Sequence, residues 1–322
     1  MFLNTHRQVK LIFWIMFPSH LFSSRFICFF FVRSFKKKKM EGKKRKVGIV
    51  GYGSLGKYLA KAILEDKEVS SKLELCFVWN RSFEKVEQDP LIPAHTHLRD
   101  LSLFDSKGAD VIIEVSHPQI VGDYGESFVR RADFVVGSPT AFAEASVEHK
   151  LREAARKSLH GVYIPSGALW GAQDIHKMGE RGDLKGVEVS MAKHPSSLKL
   201  EGELKEALEA YKRSSVEKPC VLFEGPVRVL CPLAPNNTNT MACAALAASN
   251  LGFDKTVGKL VADKSLQSHD IDITVEGPNG FSIHTRRINP AAVGAVTGNA
   301  TYASFLSSLV RAQGQGNGFH FC

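Results

Sequence analysis

Two ionisable residues end apolar faces of strand-like segments, and they raise the chemical question first. In "SHDIDITVEG" (268 to 277) side chains alternate, so His269 shares a face with Ile271, Ile273 and Val275 while Asp270, Asp272 and Thr274 take the other. In "VEVSMAKHP" (187 to 195) the same alternation puts Lys193 with Val187, Val189 and Met191. A buried imidazole or ammonium is costly without a partner, so both should lie where an anion, a substrate or water meets them and where a proton can be exchanged. Each also has a plain reading: His269 as a hydrogen-bonded core histidine, Lys193 as a lysine snorkelling to the surface.

A second constellation is "GYGSLG" (51 to 56), which follows the apolar strand "KVGIVG" and opens the helical segment "LGKYLAKAILE". In that context G-x-G-x-x-G is informative. Gly51 allows a tight turn, Gly53 lets a pyrophosphate approach the backbone, and Gly56 permits close helix-to-strand packing, with Ser54 and Leu55 at the helix start facing the phosphates. The second strand ends in "FVWNRS" rather than in the acid that usually holds the ribose hydroxyls. Asn80 can still bond a hydroxyl, and Arg81 can neutralise a 2′-phosphate or remain a solvated surface residue, so NADP is allowed beside NAD. Ligands sit at the carboxyl ends of parallel strands, which brings in "EVSHP" and "GSPTAF" with Ser116, His117, Ser138 and Thr140. His117 reads equally as a turn histidine.

The elements that must position these residues divide the chain. Strands are expected at 46–51, 73–79, 110–116, 134–138 and 161–165, with helices at 55–65, 117–131 and 142–159 between them. Near-continuous apolar strands separated by helices indicate a parallel sheet covered on both faces. After residue 171 the period shifts toward alternation: strands at 187–195, 220–227 and 256–263, then a hairpin around Pro278, Asn279 and Gly280, with helices at 201–212, 238–249 and 295–312. The expected fold is therefore α/β: a Rossmann-type domain over residues 45–166 and 291–322, and an α/β substrate and dimerisation domain over 167–290 built on an open, mostly antiparallel sheet.

Composition narrows the function classes. The net charge of +9 suggests an anionic partner, but residues 1 to 46 hold twelve Lys and Arg against the single acid Glu41. The rest carries thirty bases and thirty-two acids, so the charge describes a tail and a nucleic-acid partner is not expected. That extension, residues 1–44, has two apolar runs broken by Pro18, Ser19, His20 and Arg25, too short for a membrane span. It reads as an upstream start with Met40 as the working initiator, placing the protein in the cytoplasm. A mitochondrial transit peptide or a membrane anchor are the other readings. Six cysteines show no C-x-x-C or paired His spacing, so neither a metal site nor a disulfide framework is expected.

In order and spacing, "GYGSLG", "VWNRS", "EVSHP", "IPSGALWGAQDI", "MAKHP", "LFEGPVR", "APNNTNTMACAALA", "LVAD" and "HTRRINPAAVGAVTG" resemble the L-aspartate dehydrogenase family, from about Lys46 to the end. The resemblance implies a dimer that oxidises L-aspartate with NAD or NADP to iminosuccinate, which hydrolyses to oxaloacetate and ammonia, in amino-acid metabolism and NAD biosynthesis. It also implies cofactor contacts at Ala168 and Asn239 and a catalytic base at His269. The segment before that histidine, "ADKSLQSHDI", lacks the Pro and Asn of the family's D-P-x-x-x-x-N-x-H pattern and is shorter. For the substrate carboxylates Lys193 is the first candidate, then His194, Thr140 and Arg286. Dihydrodipicolinate reductase shares this architecture, but its H-H-x-K-type stretch is not evident. A related imine reductase or amino-acid dehydrogenase, and a non-catalytic NADP-binding sensor, are the competing readings.

Overall fold

The computed structural model describes residues 43–294 and 299–322. The N-terminal extension up to residue 42 and the start of the helix expected from residue 295 lie outside them. Six strands form the first sheet: β1 (Arg45–Val50), β2 (Leu73–Trp79), β3 (Val111–Glu114), β4 (Asp133–Val136), β5 (Gly161–Ile164) and, last in the chain, β11 (Gly318–Phe321). All pairings are parallel, in the order β11-β5-β4-β3-β1-β2. The chain starts in the interior of the sheet and turns first one way and then the other, so the carboxyl ends of β1 and β3 form its switch point.

Helices Ser54–Glu65, Pro118–Val129 and Ala145–Lys157 cross between these strands. Both faces of the sheet are covered, and the four residues of β3 and of β5 are all buried. Packing at the centre is tight: a Cβ on Gly48 of β1 would lie 2.2 Å from the Phe77 ring. β11 was not foreseen, since four residues after a glycine-rich stretch carry too little pattern to mark a strand.

The second sheet has the order β10-β9-β6-β8-β7, from β6 (Gly186–Lys193), β7 (Cys220–Pro226), β8 (Val257–Ala262), β9 (Ser268–Glu276) and β10 (Ser282–Pro290). Three pairings are antiparallel and β6 with β8 is parallel. One face carries Val187, Val189, Met191, Leu260, Ile271, Ile273 and Val275, all buried. Helices Gly202–Arg213, Val227–Leu233 and Asn239–Ala247 pack against the sheet. The last of these, "NTMACAALA", is buried from Thr240 onward, as an Ala-rich helix apolar all round must be. Asn279 (φ 55°) and Gly280 (φ 78°) make the β9–β10 turn, two types that tolerate left-handed backbone. Helix Asn299–Arg311 leads back to β11, at the edge of the first sheet.

Candidate active site

The glycine loop has three different environments at its three glycines. Gly51, at φ 113°, follows β1, and a Cβ there would lie 2.7 Å from the Val115 carbonyl. Gly56 lies in the first turn of the helix, where a Cβ would come 2.0 Å from the Gly51 carbonyl. Gly53 has nothing within 4 Å of the Cβ position. Two glycines are thus required by the fold, and the third leaves open space before a helix N-terminus that has no acid in its first turn. A phosphate group fits that space without competing charge.

Asn80 does not stand free at the end of β2. Its Oδ1 accepts from Tyr52 N (2.9 Å) and its Nδ2 donates to the Ser82 carbonyl (2.9 Å), so it braces the glycine loop. Arg81 beside it is exposed.

Across the switch point lies a cavity of about 320 Å³. Leu55, Ser116, Ser138, Ala168, Lys193, Asn239 and His269 all line it. Residues as far apart as Leu55 and His269 are brought together because the β3 and β4 ends face the end of the second sheet. In that sheet Met191 pairs with Ile271 and Ala192 with Asp270, which sets Lys193 opposite His269, while His269 pairs with Asn289 of β10. Three adjacent strands therefore present Lys193, His269 and Asn289 on one face. All three are buried, at 4%, 5% and 7% exposure. Burial lowers the Lys193 pKa from 10.5 to about 8.

The segment "PSGA" (165 to 168) also lines the cavity. Ser166 donates from N (2.7 Å) and Oγ (3.0 Å) to the Cys322 carbonyl at the end of β11, and Gly167 takes φ 57°. The Asn239 side-chain oxygen is buried there and has no hydrogen-bond partner among the described residues. An orphaned acceptor in a cavity is matched by a ligand N–H, such as that of a carboxamide.

Four expected residues are not brought to this cavity. His117 caps the helix Pro118–Val129, its Nδ1 accepting from Gln119 N (3.2 Å), and with Thr140 it lines a separate hollow of about 640 Å³ beside Arg228 and Pro235. The Thr140 hydroxyl donates to the Pro235 carbonyl (3.3 Å). His194 bonds Ser196. Arg286 pairs with Asp270 (3.0 Å), which holds its guanidinium above its ordinary pKa. Arg286 opposes Asp272, on the outward face of the sheet, whereas Arg287 opposes Ile271 on the inward face. Arg287 donates to the Gly167 carbonyl (3.2 Å), and burial lowers its pKa.

Sequence reasoning also missed Glu114, the last residue of β3 and fully buried. Its only signal is an acid closing the apolar run "DVIIE" at a strand's carboxyl end. Lys199, which is exposed, and Asn237, which accepts from Lys199 N (2.8 Å), also line the cavity.

A parallel sheet with a glycine loop open before a helix N-terminus, and at its switch point a cavity lined by the buried Lys193 and His269, has the features of a nicotinamide-dinucleotide dehydrogenase. Comparison with known proteins agrees. Residues 51–165 match the family described as homoserine dehydrogenase, NAD binding domain, and residues 174–308 that described as aspartate dehydrogenase, C-terminal. An aspartate dehydrogenase domain-containing protein of Xenopus tropicalis is 48% identical over 88% of this chain and 99% of its own length. The L-aspartate dehydrogenase of Methanococcoides burtonii is 28% identical over 82% of this chain and 95% of its own. A crystal structure of aspartate dehydrogenase from Thermotoga maritima superposes with a TM-score of 0.63 at 19% identity, over 85% of this chain and 98% of that one. The chain belongs to the aspartate dehydrogenase family, and with it to the NAD(P)-dependent amino-acid dehydrogenases.

Proposed function

We propose that the chain oxidises L-aspartate to iminosuccinate, which hydrolyses to oxaloacetate and ammonia. One observation carries this reading: Lys193, His269 and Asn289 stand side by side on the inward face of the second sheet, in the cavity that Leu55, Ser116 and Ser138 of the nucleotide-binding half also line. The dinucleotide's pyrophosphate would lie over Gly53 and its nicotinamide end would enter the cavity past Ser116 and Ser138, with Asn239 Oδ1 accepting from the carboxamide. The nicotinamide supplies the acceptor for the hydride.

The substrate must lose that hydride from a carbon bearing a neutral amine. His269 takes the ammonium proton; the Cα–H electron pair leaves, and the nitrogen lone pair closes the C=N bond. The products are iminosuccinate in its iminium form, the reduced cofactor and one proton, which His269 passes to solvent before it activates the water that adds to the C=N bond. Two carboxylates must be held meanwhile. Lys193 is the buried cation at hand, since a bound carboxylate restores the charge that burial disfavours. The exposed Lys199 suits the second.

Arg81, exposed where an acid would reject a 2′-phosphate, supports use of NADP as well as NAD. A homodimer is part of the same reading.

The test is NAD(P)H absorbance at alkaline pH with L-aspartate and each cofactor, beside His269→Ala. Turnover that falls by 10²-fold or more in the variant, as removal of a general base demands, is expected. Cofactor binding without turnover on aspartate or any other amino acid would refute the reading and leave a nucleotide sensor.

A further inference from the structure

Glu114 is fully buried, and the mechanism above gives it no task. Its side chain collects five donors from two strand ends. Oε1 accepts from Ser116 N (2.6 Å), Ser116 Oγ (3.0 Å), His117 N (2.9 Å) and Ser138 Oγ (3.0 Å), and Oε2 accepts from Ser138 N (3.0 Å). Burial raises its pKa above the ordinary carboxylate value, against the pull of these donors. The geometry speaks for the ionised form. Oε1 meets four donors, two of them backbone N–H groups that cannot turn away, and Oε2 meets a third such group, so the set of five favours a carboxylate over a carboxylic acid.

All five described partners are donors without charge, so the negative charge is spread but not cancelled. It sits directly behind Ser116, Gly137 and Ser138, three residues of the cavity wall. An oxidised nicotinamide ring carries a positive charge and a reduced one carries none. We propose that Glu114 is a fixed negative charge that makes the cavity prefer the oxidised cofactor over the reduced one, and a positioning residue that holds Ser116 and Ser138 at the wall. This rests on the reading that the nicotinamide end enters this cavity. A unit charge acting within a partly desolvated pocket shifts such a balance by about tenfold. The bias favours loading of the oxidised cofactor and release of the reduced one, while it makes the bound oxidised ring a weaker hydride acceptor.

The experiment is equilibrium titration of the full-length protein with NADP+ and with NADPH, without substrate, for wild type, Glu114→Gln and Ser138→Ala. Glu114→Gln keeps the size, removes the charge and sets an amide N–H against one backbone N–H, a positional loss shared by both cofactor forms; beyond that common loss it should weaken NADP+ about tenfold more than NADPH. Ser138→Ala keeps the charge and removes one donor, so both forms should weaken by the same factor. An unchanged ratio of the two dissociation constants in Glu114→Gln overturns the proposal, as does an equal change of ratio in Ser138→Ala. Should Glu114→Gln fail to fold, Glu114→Asp retains the charge and must keep the wild-type ratio within twofold; a tenfold shift there also overturns it. Failure of wild type to bind either form would instead sink the reading of the cavity itself.

Discussion

The glycine loop allows one substitution to be made twice with opposite consequences. At Gly56 an alanine Cβ would stand 2.0 Å from the Gly51 carbonyl, about 1.4 Å inside ordinary contact. Neither partner can yield cheaply, since one is the turn after β1 and the other the first turn of a helix buried through Leu59, Ala60 and Ile63. Overpacking of this kind costs about 1–3 kcal/mol or more, which should lower the melting temperature of Gly56→Ala by roughly 2–8 °C. At Gly53 the Cβ position is empty and the backbone, at φ −81° and ψ −164°, is ordinary extended chain. Alanine there should leave the melting temperature unchanged or raise it slightly, by about 0.4–1 kcal/mol from the stiffer unfolded chain. Its methyl would stand where the pyrophosphate has to meet the backbone, so the cofactor should bind at least about tenfold more weakly. Thermal melts give the first quantity and quenching of tryptophan fluorescence by the cofactor the second. A Gly53→Ala protein that melts low, or one that binds the cofactor as wild type does, would refute this assignment of roles.

Lys193 supplies a pH signature. Its folded pKa of about 8 lies below the 10.5 of the unfolded chain, so the folded state binds fewer protons between these values. The penalty of burying the ammonium is full below pH 8 and vanishes above 10.5; relative to Lys193→Met, wild-type stability should rise by about 3 kcal/mol across that window in urea titrations. Saturating L-aspartate should remove much of that rise, because a bound carboxylate keeps the lysine charged. Arg287→Ala, which frees the Gly167 carbonyl, should raise KM for aspartate several-fold, while Arg286→Ala should leave it within twofold; steady-state kinetics separate the two. Gly48→Ala in β1 should cost about 3 kcal/mol by driving a methyl into the Phe77 ring, and Phe77→Leu in the same chain should recover part of that loss in chemical denaturation.

What the sequence showed of the fold follows from pattern length. β1, β2 and the β9–β10 hairpin lie within a residue or two of their expected places, except at the end of β10, because each carries an unbroken apolar run, strict alternation or a turn with left-handed residues. β11 lacks all three, and its place beside β5 is fixed by backbone pairing alone, from Gly318 with Gly161 to Phe321 with Ile164. The candidate site divides along the same line. His269 and Lys193 were visible because an ionisable group stands out on an apolar face, and Gly51, Gly53 and Gly56 because their spacing between a strand and a helix is distinctive.

Asn80, Thr140 and His117 could not be placed from their types, since a polar side chain at a strand end can turn to backbone as readily as to a ligand. Here all three turn to backbone. The two arginines of "HTRRINP" show the limit best. Alternation says that one faces in and the other out, but not which, until the register with β9 is known. Arg286 falls opposite Asp272 and Arg287 opposite Ile271, so a single residue of register decides which cation belongs to the cavity side. That register is set by the three-residue turn at Pro278–Gly280 together with the apolar face of β9.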